Sequence, residues 1–171
     1  TMQLFYATDF IDRLENEMLP ALRAGFVVLT DRYIYSAMAR AEVRGIDSAW
    51  IRSIYSMALV PDAVFYLRIS SPQQLVQRVV SSGRGFDYWE SGMDLPMGAD
   101  LFDSFMNYQT RVIEELDRLA QDYGFETLDA TRSEDETAED LAERVIRLLD
   151  RRPNLLLELV EEDTSQGDGP A

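Results

Sequence analysis

The stretch "VVLTDRYIYS" at residues 27–36 decides the predicted fold, because an apolar run ends abruptly in an acid, a base and a phenol. Phe26 to Leu29 are apolar on both faces, which is typical of a buried strand in a parallel sheet. Ligands of open α/β sheets bind at the carboxyl ends of the strands, where Asp31 and Arg32 stand. A carboxylate there can organise magnesium, and a guanidinium can grip a phosphate. The alternative is a salt bridge that only caps the edge of the sheet.

The composition narrows the chemistry open to the chain. Its 171 residues are 46% hydrophobic, which suits one globular domain. Cysteine and histidine are absent, and all 16 basic residues are arginine. Disulfides, thiolate nucleophiles and cysteine-ligated zinc are therefore excluded, and the commonest general base is missing. Carboxylates, arginines, hydroxyls, backbone amides and a hard metal ion remain, and this set suits phosphate chemistry.

The formal net charge of −15 bears on the partners. Such an acidic chain should repel a nucleic-acid polymer, although a few local arginines can still hold a small phosphorylated ligand. No apolar run approaches the ~20 residues that cross a bilayer, and no basic-then-apolar leader opens the chain. We therefore expect a cytoplasmic protein without a membrane or nucleic-acid partner.

Apolar periodicity and capping signals predict that helices and strands alternate. The predicted strands are residues 26–30, 63–69 and 125–129. The predicted helices are residues 3–24, 34–41, 48–59, 72–80 and 100–123, with a last helix that begins after a capping box of Ser133 and Glu136. This alternation indicates the α/β class with a parallel sheet. We expect one domain over residues 1–152 and a flexible acidic tail over residues 153–171.

Within the helix predicted over residues 48–59, Ser48 is expected to be the cap. Trp50 and Ile51 are both expected on its inner face.

Residues 81–99 contain five glycines or prolines and no steady period, which predicts a loop. Four charged side chains surround its glycine-rich part: Arg78, Arg84, Asp87 and Glu90. Arginine on a glycine-flanked loop suits a lid that closes over phosphates and excludes water. The alternative is a solvated loop with ordinary surface charges. The short "GRG" does not follow a strand and is not by itself a phosphate-binding fingerprint.

Six pieces of the sequence, in order, resemble thymidylate kinase, a nucleoside-monophosphate kinase of the P-loop class. These pieces are "LFYATD" (4–9), "VVLTDRYIYS" (27–36), "RGID" (44–47), "PDAVFYLRI" (61–69), the arginine-bearing lid ending in "DYWE" (87–90) and "LDAT" (128–131). The resemblance extends to about residue 150. It implies a three-layer P-loop kinase-like fold, a homodimer, and transfer of the γ-phosphoryl group of ATP to dTMP, with Mg²⁺ and without a covalent intermediate.

The resemblance also implies roles for residues on the side of the monophosphate. Phe5 matches the aromatic residue that stacks on thymine, and Ser36 matches a serine that lines the monophosphate pocket. Arg32 matches the arginine that holds the acceptor phosphate, and Asp31 matches the carboxylate near magnesium. Glu90 matches the acidic residue that follows the lid.

On the side of ATP, the resemblance places Arg78 and Arg84 where lid arginines contact the phosphates. Ala130 and Arg132 fall in the loop that borders adenine. Asp31, Arg32 and Arg84 are therefore the predicted catalytic residues.

Three positions depart from the family pattern. Asp9 stands where the family usually carries an arginine that reads a thymine carbonyl, and Arg40 stands where a tyrosine is common near the sugar. Our hypothesis is that Asp9 and Arg40 pair and reshape the base pocket. Tyr88 replaces an arginine after the lid.

The family begins with a strand, a glycine-rich P-loop containing lysine, a helix and a second strand, which together take ~30 residues or more. We expect this N-terminal unit to be missing here, and the chain to be an incomplete enzyme that is inactive alone. The alternative hypothesis is a non-catalytic, degenerate kinase domain that serves in dimerisation or in regulation of a partner.

Overall fold

The computed structural model describes residues 2–81, 83 and 85–151. The predicted acidic tail and Arg84 therefore lie outside the described residues. The first helix, α1 (Met2–Arg13), continues through a π-helical turn (Leu14–Met18) into α2 (Leu19–Arg23). Gly25, at a φ of 79°, ends it in a left-handed conformation that glycine adopts readily. The helix predicted over residues 3–24 is confirmed.

Helices α3 (Ile34–Val43) and α4 (Ser48–Ile54) follow. The predicted cap of α4 was wrong by one residue, because Asp47 and not Ser48 accepts a hydrogen bond from the Trp50 N–H, at 2.8 Å. The helix also ends earlier than predicted, at Ile54 rather than near residue 59. Ile51 is fully buried as expected, but Trp50 lies 43% exposed, since consecutive residues of a helix point in different directions.

A parallel pair of strands confirms the α/β class. Strand β1 (Phe65–Arg68) pairs with β2 (Glu126–Asp129) in a register that sets Phe65 against Glu126. Between the strands lie α5 (Pro72–Ser81) and the long α6 (Leu101–Tyr123), which ends at the left-handed Gly124. The last helix is α7 (Glu134–Asp150), and it begins with the predicted capping box.

Residues 26–30 do not form the predicted buried strand. Phe26, Val27 and Leu29 are 67%, 66% and 82% exposed, and residues 26–30 belong to neither a strand nor a helix. A strand needs a neighbour to take its N–H and C=O groups. Over the described part of the chain the sheet holds two strands, β1 and β2, and neither lies beside this segment.

Helix α3 is central to the packing, since it contacts α1, α4 and α6. The main buried cluster consists of Ala7, Tyr35, Met38, Ala39, Ala41, Ile51, Tyr55 and Leu119. Ala39 and Ala41 are fully buried, and their burial fixes the orientation of α3. The directions of the polar residues on the other face of α3 are fixed with it. None of the helices described is both long and apolar enough to cross a bilayer.

Candidate functional site

Two arginines from the region of α3 converge on one carboxylate. Arg40 Nη2 donates to Glu90 Oε1 at 3.2 Å, and Arg32 Nη2 lies 3.9 Å from the same oxygen. We call Arg32 and Arg40 the arginine pair. Their side chains are 58% and 33% exposed, and that of Glu90 is 45% exposed. Ion pairs this exposed are weak, so a phosphate can exchange with the Glu90 carboxylate at modest cost.

The backbone at Arg32 is unusual. Its φ is 59°, and no other non-glycine residue among those described has a positive φ. This left-handed conformation is uncommon for a residue with a Cβ and costs about 1–2 kcal/mol. The next residue is held from two sides, because the Tyr33 hydroxyl donates to the Leu59 carbonyl at 3.0 Å and its ring packs on Phe10. The surrounding structure therefore imposes the conformation that aims Arg32 at Glu90.

Glu90 belongs to a turn that is docked on α6. The Asp87 carboxylate accepts from the backbone N–H groups of Trp89 and Glu90 at 2.8 and 3.0 Å. Gln109 of α6 donates to the Glu90 carbonyl at 2.7 Å. Gly92 packs so closely on Tyr108 that a Cβ there would lie 2.7 Å from the ring. The backbone of the turn is thus fixed, while the Glu90 carboxylate stays accessible.

The hypothesis that Asp9 pairs with Arg40 was wrong. Asp9 accepts from Arg13, one helical turn further along α1, at 2.8 Å. Arg40 pairs with Glu90 instead. Asp9 and Arg40 thus each have a different partner within reach. The Asp9–Arg13 pair joins residues four positions apart on α1, so it forms without any tertiary contact.

The other residues predicted on the monophosphate side lie on α1, on α3 and just before α3. Ser36 is half-buried on α3, one turn before Arg40 and hence on the same face. Asp31 is exposed next to Arg32. Phe5 is 68% exposed on α1.

The residues predicted to contact ATP divide into two groups. Arg78 of α5 donates to the carbonyl of Ala130 at 2.5 Å, which brings two of them together. Arg132 is turned towards α7, where its guanidinium bonds to Asp140 at 2.7 Å. The hydrogen bonds from Arg144 and then Arg132 lower the pKa of Asp140 to about 2. Ala130 and Arg132 lie in the loop after β2, and Arg78 contacts this loop from α5.

A magnesium ion would meet few protein ligands here. Over residues 2–81, 83 and 85–151, no group of three or more acidic side chains is arranged to hold a metal. The exposed Asp31 carboxylate nevertheless offers the hard oxygen ligand that Mg²⁺ prefers. Because Mg²⁺ is usually held by one or two carboxylates together with phosphates and water, this donor fits a nucleotide-bound ion.

Arg44 is a residue of this region that no site prediction included. In the sequence it stands out only as part of the piece "RGID". In the structure its guanidinium joins α3, the turn of Glu90 and α6. Its partners lie up to 64 residues away in the sequence. A local pattern carries no signal for such contacts.

Comparisons with known proteins identify the family of this chain. The family model described as Thymidylate kinase matches residues 1–141. The chain is 39% identical over 133 residues to the "Probable thymidylate kinase 2" of Saccharolobus solfataricus. The aligned residues cover 77% of this chain and 62% of that relative. It is 26% identical over 146 residues to the "Probable thymidylate kinase" of Pyrobaculum aerophilum, covering 85% and 68%.

The chain thus spans between 62% and 68% of the length of these two relatives. A third relative, the "Thymidylate kinase" of Gloeobacter violaceus, is 36% identical over 92 residues, or 52% of this chain and 43% of that protein. The family is one of phosphotransferase enzymes. With a family model that extends over residues 1–141, this chain belongs to the thymidylate kinase family.

Proposed function

We propose that the whole protein to which this chain belongs phosphorylates a nucleoside monophosphate, converting dTMP to dTDP with ATP as the donor. The convergence of Arg32 and Arg40 on a single oxygen of Glu90 carries this proposal. Two guanidinium groups that share one exposed carboxylate form a site that an acceptor phosphate can enter by replacing that carboxylate. Membership of the thymidylate kinase family supports the reaction.

The reaction moves the γ-phosphoryl group of ATP to an oxygen of the dTMP phosphate and releases ADP. In this proposal Arg32, Arg40 and Ser36 hold the acceptor phosphate, and Phe5 stacks on the base. Asp9 and the Glu90 carboxylate that the phosphate displaces border the sugar and base. Positioning and neutralisation of charge supply the catalysis, since the reaction requires no covalent intermediate.

On the donor side, Arg78 and Arg84 contact the phosphates of ATP, and Ala130 and Arg132 border adenine. Asp31 would hold Mg²⁺, which neutralises charge on the transferring phosphoryl group when it is bound. We place the reaction in the cytoplasm and expect a homodimer.

These 171 residues contain no lysine, and all 16 of their basic residues are arginine. The lysine that a P-loop uses to reach the β- and γ-phosphates is therefore not among them. We propose that the 171-residue chain alone binds dTMP without turning over ATP. A non-catalytic domain that regulates a partner is the alternative.

Calorimetry with dTMP, dUMP and dCMP tests the site, and an ADP-release assay tests turnover. We expect dTMP to bind to the unmodified chain, and Arg32→Met to weaken binding by about ten- to a hundredfold, because a charge-assisted hydrogen bond is lost. Arg23→Met, which removes an exposed arginine at the end of α2, is the matched control and should leave affinity unchanged.

Two outcomes count against the proposal. Absence of binding by all three nucleotides would refute the monophosphate site and favour the non-catalytic alternative. Release of ADP by the 171-residue chain would refute the proposed inactivity while supporting the kinase reaction.

A further inference from the structure

The guanidinium of Arg44 uses all five of its N–H donors. Nε and Nη2 donate to the two carboxylate oxygens of Asp94 at 2.9 and 3.2 Å. Nη2 also donates to the Trp89 carbonyl at 3.0 Å. Nη1 donates to the Arg40 carbonyl at 3.3 Å and to the Tyr108 hydroxyl. Five donors is the full capacity of an arginine side chain.

Two of these partners are backbone carbonyls in the two segments that carry the Arg40–Glu90 ion pair. One carbonyl that Arg44 holds belongs to Arg40 itself, and the other belongs to Trp89, the residue immediately before Glu90. The backbones that carry the two charged groups come from positions 50 residues apart in the sequence. Arg44 therefore links the two backbones directly.

The contacts of Arg44 are better shielded than those of the ion pair that they support. The side chains of Arg44 and Asp94 are 19% and 23% exposed, against 33% and 45% for Arg40 and Glu90. The guanidinium also lies over the ring of Tyr108, with its carbon 4.8 Å from the ring centroid. The hydrogen bond from Arg44 lowers the pKa of Asp94, so this carboxylate stays charged to a lower pH than an ordinary aspartate does.

We propose that Arg44 is a positioning residue for the acceptor phosphate. It holds the turn of Glu90 at a fixed distance from α3, and so keeps Arg40 and Arg32 directed at one point. This inference rests on the proposed function of the arginine pair. Lysine cannot replace Arg44 fully, because a single ammonium group cannot bond to a carboxylate, two carbonyls and a hydroxyl in this planar arrangement.

Trp89 offers a readout that does not depend on any nucleotide. The chain has two tryptophans, so Trp50→Phe leaves Trp89 as the only one. In that background we expect Arg44→Met to lower the fluorescence anisotropy of Trp89, and Asp94→Asn to lower it less. Arg68→Met is the matched control, because Arg68 also joins another element to α6, through two 2.8 Å hydrogen bonds to Asp117. It should leave the anisotropy unchanged.

The second readout is the dissociation constant for dTMP, measured by calorimetry on the same chains. Arg44→Met should weaken binding about tenfold, because the phosphate ligands are misplaced although none is removed. Arg44→Lys should recover part of the loss, and Arg68→Met should lower the melting temperature without changing the affinity. If Arg44→Met does not fold, Asp94→Asn carries the comparison.

The outcomes separate the two proposals. If the unmodified chain binds dTMP and both Arg44→Met and Asp94→Asn bind it equally well, Arg44 has a structural role alone and the inference is wrong. If the unmodified chain binds no monophosphate, the proposed function fails, and the inference fails with it. Unchanged Trp89 anisotropy in Arg44→Met contradicts the inference whatever the nucleotide result.

Discussion

Arg32 combines a strained backbone with a weakly held side chain. Its φ of 59° is unfavourable for any residue with a Cβ, and its guanidinium lies 3.9 Å from the nearest acidic oxygen. Neither feature stabilises the folded chain. A guanidinium that the protein holds this weakly is available to bind a ligand, which agrees with the phosphate role proposed for Arg32.

A comparison of two substitutions separates strain from binding at this position. Arg32→Gly and Arg32→Ala both remove the guanidinium, so we expect both to lose dTMP affinity equally. Glycine adopts the left-handed conformation without steric cost, whereas the Cβ of alanine makes it unfavourable. Arg32→Gly should therefore be more stable than Arg32→Ala by about 1 kcal/mol in urea denaturation. Equal stability of the two variants would show that the residue relaxes to a negative φ.

At the scale of elements, the contact between α3 and α6 buries an ionisable group. Glu42 of α3 accepts from Arg118 of α6 at 2.8 Å through Oε2. Its Oε1 is buried and accepts no hydrogen bond from any residue that the structure describes. Burial, followed by the neighbouring Glu115 carboxyl group, raises the pKa of Glu42. The folded chain therefore binds this proton more tightly than the unfolded chain does.

This shift predicts a pH dependence of stability. The contribution of Glu42 is fully present below the ordinary pKa of a glutamate, about 4.3, and is lost as pH rises through the raised pKa. As pH rises above about 4.3, the free energy of unfolding should thus fall more steeply in the unmodified chain than in Glu42→Gln. Urea denaturation at several pH values measures this. Glu143→Gln, which alters an exposed glutamate of α7, is the control, and identical slopes for all three chains would contradict the prediction.

At the scale of the whole molecule, the chain exposes an apolar segment that its sequence marks as a buried strand. Leu29 in this segment is 82% exposed, whereas Leu128 on β2 is fully buried. Runs of apolar residues at the surface are uncommon, and they offer a surface for association.

Two leucine substitutions test this difference. Leu29→Ala should change the free energy of unfolding by less than about 0.5 kcal/mol, because the side chain already contacts water. Leu128→Ala should cost about 2–5 kcal/mol, because it leaves a cavity in the core. Chemical denaturation of both variants measures the contrast. A cost above about 1 kcal/mol for Leu29→Ala would mean that residues 26–30 pack as a strand after all.

The features that the sequence predicted correctly are those with short-range causes. The capping box of Ser133 and Glu136, the end of the helix predicted over residues 100–123 and the helix over residues 3–24 each depend on neighbours within a few positions. The α/β class follows from their order along the chain. The adjacency of Asp31 and Arg32 after an apolar run also indicated the region of the candidate site, because an acid beside a base is visible in the sequence itself.

Only the tertiary structure decided the rest, because the partners are far apart in the sequence. Residues 26–30 have strand character, but a strand forms only where another strand receives its hydrogen bonds. Arg40 was expected to pair with Asp9, and packing selected Glu90 instead, which is 50 positions away. Arg44 is an ordinary arginine in the sequence, and its role arises where three elements meet. Interactions of this range depend on how the whole chain folds, which local patterns do not encode.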